Sequence, residues 1–256
     1  MNGIFPIPAE FDASGVFETC RVRAGRVLRV EEHLRRLRAS LKTAGIPLTL
    51  PSPLRGEGKG EGLKRALQEA AQGLKEGFIR VAVRRQGLPR ILIHRSPASP
   101  YSKKRAFGIA IRTVPSRWPA GETGWAQVKS SERLSGVLAR MEAPEAMEAL
   151  RLGPHGYLTE GTVSNLFFVR DGELVTAPCW AGVLEGVTRS RVIRAARKLR
   201  LPVRKTPFTR HDLFNAEEAF LTNVLMGILP VRQVDGRRIG KKTPGPVTRK
   251  LMKELK

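Results

Sequence analysis

The sequence predicts an α+β fold in two lobes, and three observations carry that expectation. Strands recur as hairpins around short turn dipeptides; amphipathic helices fall between them without the strand–helix–strand rhythm of a doubly wound sheet; and "SPASPYSKK" (96–104) is rich in Pro and Ser, as a boundary between compact units is. The organisation expected is an N-terminal α/β lobe over 1–98, a linker over 99–105 and a larger C-terminal lobe over 106–256.

The elements follow in order. "GVFETCRVRAGRVLRV" (15–30) reads as two strands turning at Ala24-Gly25. In "EEHLRRLRASLKTAG" (31–45), Leu34, Leu37, Leu41 and Ala44 share one helical face, two acidic residues favour the first turn, and Gly45 stops the helix. "PSPLRGEGKGEG" (51–62) is a polar surface loop. A second helix is expected over 63–77, then strands at 78–85 and 90–96. The second lobe opens with a strand at 106–114. A helix over 133–150, interrupted at Pro144, precedes "YLTE" and the hairpin "NLFFVRDGELVTAP", which turns at Asp171-Gly172. A helix over 189–200, strands at "PVRKTPF", "EAFLTN" and "ILPVRQVDG", and a short helix from Pro246 complete the chain.

Composition excludes several classes. No stretch reaches the roughly 18 apolar residues of a membrane span, and the N-terminus lacks the basic start and apolar run of a signal peptide, so a cytoplasmic protein is expected. Cys20 and Cys179 have no metal-ligand spacing and read as reduced thiols. The 46 Lys+Arg against 23 Asp+Glu leave a net charge of +23. These cations are scattered rather than clustered, aromatics are only 6%, and no nucleic-acid-binding signature is present, so no specific nucleic-acid partner is expected.

"LTEGTVSNLFFV" (158–169) places a carboxylate, Glu160, at the edge of an apolar block with no evident local partner. Read in order, "GVFETCRV", "HLRRL", "VKSSERLSGVLARMEA", "YLTEGTVSNLFFVRDGELVTAP", "LEGVTR", "AFLTNVLMGILPV" and "PGPVTRKL" resemble the fold-type IV pyridoxal-phosphate enzymes, from about residue 15 to the end. That group holds branched-chain and D-amino-acid aminotransferases and aminodeoxychorismate lyase. The resemblance implies pyridoxal 5'-phosphate as cofactor, a C-terminal cofactor-binding lobe with a barrel-like antiparallel sheet, an amino-acid-like substrate and a homodimer.

It also implies roles. Lys129 matches the lysine that joins the cofactor aldehyde, a task for an amine that can lose its proton near neutral pH. Glu160 matches the partner of the pyridine nitrogen, where a negative charge keeps the ring protonated. Gly161 and Asn165 would shape the approach to the ring. Arg36 matches the arginine that grips the phosphate with a forked guanidinium, and His33 either orients this site or lies on the helix surface. Val187 and Thr188 at a helix N-terminus would bind the phosphate, with a second contact from the "TN" of "FLTNVLMG" (Thr222-Asn223) and from Val224. Asn223-Val224 stand where the aminotransferases carry Gly-Thr, so a threonine hydroxyl contact would be lost there and backbone amides must serve.

Two features favour the lyase: "LTNVLMGILPV" is closer in style to aminodeoxychorismate lyases, and Thr19 in "FET" stands where those lyases carry a threonine. The expected reaction is therefore release of pyruvate from 4-amino-4-deoxychorismate to form 4-aminobenzoate, with an aminotransferase of the same family as the alternative. Arg21 and Arg80 are candidates for the substrate carboxylates. A short 84–92 segment and Glu132 in place of the usual asparagine depart from the family pattern.

Overall fold

The computed structural model describes residues 15–48, 61–84, 90–95, 101–118, 125–130 and 134–255. They form two compact units: the smaller holds 15–95 together with 128–130, and the larger holds 101–127 and 134–255. The departures at Glu132 and in the middle of 84–92 lie outside the described residues, as do 99–100 of the expected linker.

In the smaller unit, strands β1 (Gly15–Arg23), β2 (Arg26–Val27), β3 (Glu76–Arg84) and β4 (Arg90–Arg95) form an antiparallel sheet in the order β2-β1-β3-β4. The expected turn is present: Ala24 and Gly25 adopt φ of 49° and 70°, the left-handed pair that lets a two-residue connection follow the strand twist. Helices α1 (Val30–Ala44) and α2 (Glu61–Ala71) cover one face. Leu34, Leu37 and Leu41 from α1 pack there with Leu63 and Leu67 from α2, against Val16, Cys20 and Val22 of β1 and Ile79, Val81 and Val83 of β3. Strand side chains alternate in direction, so this packing sends Phe17, Thr19, Arg21 and Arg80 to the opposite face. The second helix is shorter than its sequence pattern suggests. It ends at Ala71 because Gly73 takes a left-handed turn, and strand β3 has begun by Glu76.

The larger unit contains α3 (Ser102–Phe107), β5 (Ile109–Arg117), α4 (Leu134–Met141), β6 (Ala149–Leu152), β7 (Leu158–Gly161), β8 (Asn165–Arg170), β9 (Glu173–Thr176), α5 (Val187–Lys198), β10 (Val203–Lys205), α6 (Arg210–Phe214), β11 (Glu218–Asn223), β12 (Gly227–Val234), β13 (Arg237–Arg238) and α7 (Pro246–Glu254). Residues 102–107 are helical, although Pro and Ser nearby suggest a linker; Tyr101 just before them is buried in the core with Ile109 and Ile111. After Pro144 the helix does not resume, because Ala146 and Ala149 are drawn into a small-residue cluster with Val114 and Ala139.

The sheet of this unit has nine strands, in the order β10-β9-β8-β11-β12-β5-β6-β7 with β13 beside β12. Its hairpins are antiparallel as expected, while β9–β10, β5–β12 and β5–β6 pair in parallel. The order also fixes the curl. Strands β7 and β8 stand five places apart, about 24 Å in a flat sheet at ~4.8 Å per strand, yet only Thr162, Val163 and Ser164 join them, a reach of about 15 Å. The sheet therefore closes on itself like a half-barrel. Leu166, Phe168, Ala219, Leu221, Leu229 and Val231 fill its inner core, and Phe167, Val169 and Phe220 pack outward against α5 and α7.

Candidate active site

Glu160 ends up buried near the end of β7, and the expectation that nothing local partners it does not hold. The three-residue turn brings Asn165 back so that its Nδ2 donates to Glu160 Oε2 at 2.7 Å. The backbone N–H of Leu184 donates to the same oxygen at 3.1 Å, and Arg151 Nη2 on β6 lies 3.5 Å from Oε1. Sequence separation hid these partners; the curl of the sheet and the loop before α5 assemble them.

The turn itself is organised by a carboxylate that sequence reading placed in a helix. Glu148, fully buried just ahead of β6, accepts from the backbone N–H groups of Ala149, Thr162 and Val163 and from the hydroxyls of Thr162 and Ser164. A side chain at Gly161 would collide with Glu148, its Cβ falling 2.6 Å from the carboxyl carbon. Gly161 thus serves the turn that carries Glu160 and Asn165.

Leu184 links Glu160 to helix α5. Asn165 Nδ2 also donates to Leu184 O at 2.9 Å, and Gly186, the residue that precedes the helix, lies so close that a Cβ there would fall 2.2 Å from Asn165 Oδ1. Gln127 braces the same loop, donating to Cys179 O and Val183 O and accepting from Glu185 N. Replacing Gly186 by Ala should therefore push Asn165 off Glu160, a loss of about 1–3 kcal/mol if one buried hydrogen bond is broken. Affinity for pyridoxal phosphate, followed by absorbance titration, is expected to fall about tenfold to a hundredfold; an unchanged titration would show that Asn165 is not needed there.

At its start, α5 has the properties of an anion site. No side chain caps it, its first turn holds no acidic residue, and Thr188 is buried in that turn. The unpaired amide ends of a helix concentrate partial positive charge toward an anion. A second feature points the same way: Thr222 is paired directly with Asn165 across β11 and β8, so their side chains share one face, and its buried Oγ1 has no hydrogen-bond partner among the described residues. The Asn223 side chain is used locally, which leaves its backbone for the contact expected there. Its Oδ1 accepts from Leu225 N and Met226 N and its Nδ2 donates to Val163 O, so the side chain closes the β11–β12 turn; Val224 lies within that turn. The larger unit thus unites Glu160, Asn165, Val187 and Thr188 with Thr222 of the "TN" pair, and adds Arg151, which the motif pattern does not single out.

In the smaller unit, Thr19, Arg80 and Lys129 gather around Phe17. Arg80 Nε donates to Thr19 Oγ1 at 3.2 Å, its guanidinium carbon stands 5.3 Å from the Phe17 ring centroid, and Lys129 Nζ stands 4.6 Å from it. The Lys129 backbone is pinned on both sides, with its carbonyl accepting from Phe17 N and its N–H donating to Ser40 Oγ. Arg21 projects from the same face but pairs with Glu76 at 2.9 Å.

Arg36 belongs to the helix-covered face. Its Nε and Nη2 donate to the two oxygens of Glu18 at 2.6 and 2.8 Å, and His33 Nδ1 meets Glu18 at 2.8 Å. His33 is buried, not on the helix surface. Burial works to raise the Glu18 pKa, but the Arg36 charge and the hydrogen bonds from Arg36 and His33 outweigh it and hold the carboxyl down at about 2. Cys20 and Cys179 are free thiols.

The donor set of the larger unit fits pyridoxal phosphate: a buried carboxylate for a ring nitrogen is tied, through Leu184, to a helix N-terminus suited to a phosphate. Comparison with known proteins agrees. A Methanocaldococcus jannaschii protein provisionally named a branched-chain-amino-acid aminotransferase is 34% identical over 260 residues, spanning 94% of this chain and 86% of that protein. The crystal structure of the T.th. branched-chain amino acid aminotransferase with pyridoxamine 5'-phosphate superposes with a TM-score of 0.83 at 29% identity, over 95% of this chain and 84% of that one. The 4-amino-4-deoxychorismate lyase of Pseudomonas aeruginosa gives 0.80 at 31% identity, over 95% and 90%. The model of the family described as amino-transferase class IV matches residues 15–234, and the chain belongs to that family of pyridoxal-phosphate enzymes.

Proposed function

We propose that the protein is an amino-acid aminotransferase acting on branched-chain amino acids, in place of the lyase favoured by "LTNVLMGILPV" and Thr19. The observation that carries this is the 34% identity to an aminotransferase-named relative across nearly the whole chain. When bound, pyridoxal phosphate supplies an aldehyde that accepts the substrate amine and a ring that withdraws electrons from the adjacent carbon.

The residues of this chain then have distinct tasks in the proposal. Lys129 would hold the cofactor through its Nζ and, as general base and acid, would move the proton at the amine-bearing carbon of the substrate. Glu160, oriented by Asn165 and the Leu184 N–H, keeps a proton on the ring nitrogen. Val187, Thr188 and the turn at Asn223-Val224 bind phosphate, with Thr222 as an added donor, and Arg36, fixed by Glu18, contributes a guanidinium. Arg80, steadied by Thr19, receives the substrate carboxylate, and Arg21 lies farther along the same strand face.

A homodimer, implied by the resemblance, is supported by α4, which turns Leu134, Val137, Leu138 and Met141 to the surface and only Ala139 to the core. Among the described residues no helix is long and apolar enough to cross a membrane.

The experiment is a half-reaction. The cofactor-loaded protein, mixed with L-leucine or L-valine, is expected to convert the cofactor to its amine form and to recover the aldehyde on addition of a keto acid. The second reading rests on the likeness to the Pseudomonas aeruginosa lyase; pyruvate release from aminodeoxychorismate with no half-reaction on any L- or D-amino acid would establish that reading and overturn the first.

A further inference from the structure

We infer that Arg151 is a positioning residue that acts through Glu160, its positive charge setting how firmly that carboxylate holds a proton on the cofactor's ring nitrogen. The inference rests on the proposed role of Glu160 and goes beyond it.

Geometry separates this role from simple structural pairing. Arg151 Nη2 stands 3.5 Å from Glu160 Oε1 and 3.4 Å from Gly161 O, at the outer limit of hydrogen bonding, where directional attraction has mostly lapsed. Coulomb attraction falls only as the inverse of distance and remains strong at that separation in a buried site. Arg151 is buried, its guanidinium lies 4.4 Å from the Trp118 ring centroid, and its Nε has no hydrogen-bond partner among the described residues. An arginine kept for its hydrogen bonds would be expected to use that donor. Here the buried cation is retained with its donors only partly used, so its charge is what reaches Glu160.

Among the described residues, Glu148, ahead of β6, faces Arg151, and Cys179, after β9, faces Glu160. Neither carries a positive charge, whereas Arg151 sets a full cation 3.5 Å from the carboxylate. Its partner oxygen, Oε1, is distinct from Oε2, which Asn165 and Leu184 occupy. A cation beside the carboxylate draws off part of the charge that would otherwise stabilise a ring proton.

The test is nitrogen NMR of the full-length protein loaded with ring-labelled pyridoxal phosphate, titrated with pH without substrate, alongside cofactor affinity and thermal unfolding. Arg151→Gln and Arg151→Met remove the charge, the second keeping apolar contact with Trp118, and either that folds serves. Both are expected to raise the midpoint of ring-nitrogen deprotonation by about one pH unit, a tenfold change in proton affinity. Arg151→Lys keeps the charge and is expected to stay near the wild-type midpoint. Glu160→Gln is the control and should lower the midpoint. A midpoint unchanged in the neutral variants, or displaced equally in Arg151→Lys, while Glu160→Gln lowers it, overturns the role of Arg151 alone. A midpoint unmoved by Glu160→Gln overturns the reading of Glu160, and the role of Arg151 with it.

Discussion

Lys129→Ala is expected to lose at least about a thousandfold in turnover, since it removes both the covalent tether and the group that moves the substrate proton. The structure makes this a clean experiment. The backbone of Lys129 is held by Phe17 N and Ser40 Oγ, neither of which involves its side chain, so truncation removes Nζ from above the Phe17 ring and leaves the pairing of 128–130 with β1 in place. The variant should unfold near the wild-type temperature and should lack the absorbance of lysine-bound cofactor. Steady-state turnover close to wild type would show that another amine does this work, and the assignment of Lys129 would be withdrawn.

Glu18→Ala is expected to cost about 3–5 kcal/mol of stability, the range for removing one partner of a buried charge pair. Glu18 is 1% exposed and receives three bonds from Arg36 and His33, so its loss removes the buried anion on which these two side chains of helix α1 converge. Its pH dependence has a definite sign. The folded carboxyl sits at about 2 against an ordinary 4.5, so its contribution is complete above about pH 4.5 and is lost as pH falls through about 2. The shift corresponds to about 3 kcal/mol. Denaturant unfolding of wild type and Glu18→Gln at pH 7, 4 and 2 should show a gap that closes toward the acid end. A gap that stays constant would mean that Glu18 is not held as an anion.

Much of the fold was readable along the chain because its signals are local. The turns at Ala24-Gly25 and Asp171-Gly172 need two left-handed residues, and each pair adopts them. Helix α1 follows from Leu34, Leu37 and Leu41 on one face and Gly45 at its end. Local signals failed where packing overrode them: Tyr101 draws the presumed linker into the core, and Ala146 and Ala149 compact a stretch that composition alone would continue as helix.

For the site, ordered motifs marked Lys129, Glu160, Thr222 and the start of α5 as candidates, because each depends on a residue type at a fixed place in one segment. Arg151 could not be found that way. It meets Glu160 across the sheet, and strand pairing is a property of register rather than of sequence spacing. The Asn223 side chain spends its hydrogen bonds on its own turn, which leaves backbone amides for the phosphate contact proposed there.

By itself, then, the order of residues determined the fold class and the family and marked the groups proposed to do chemistry, since periodicity, turn residues and motifs act over a few positions. Only the tertiary structure decided which side chains meet. Closure of the sheet sets Arg151, Asn165 and Leu184 around one buried carboxylate, and the low-dielectric interior there makes each of those contacts count for more than it would in water.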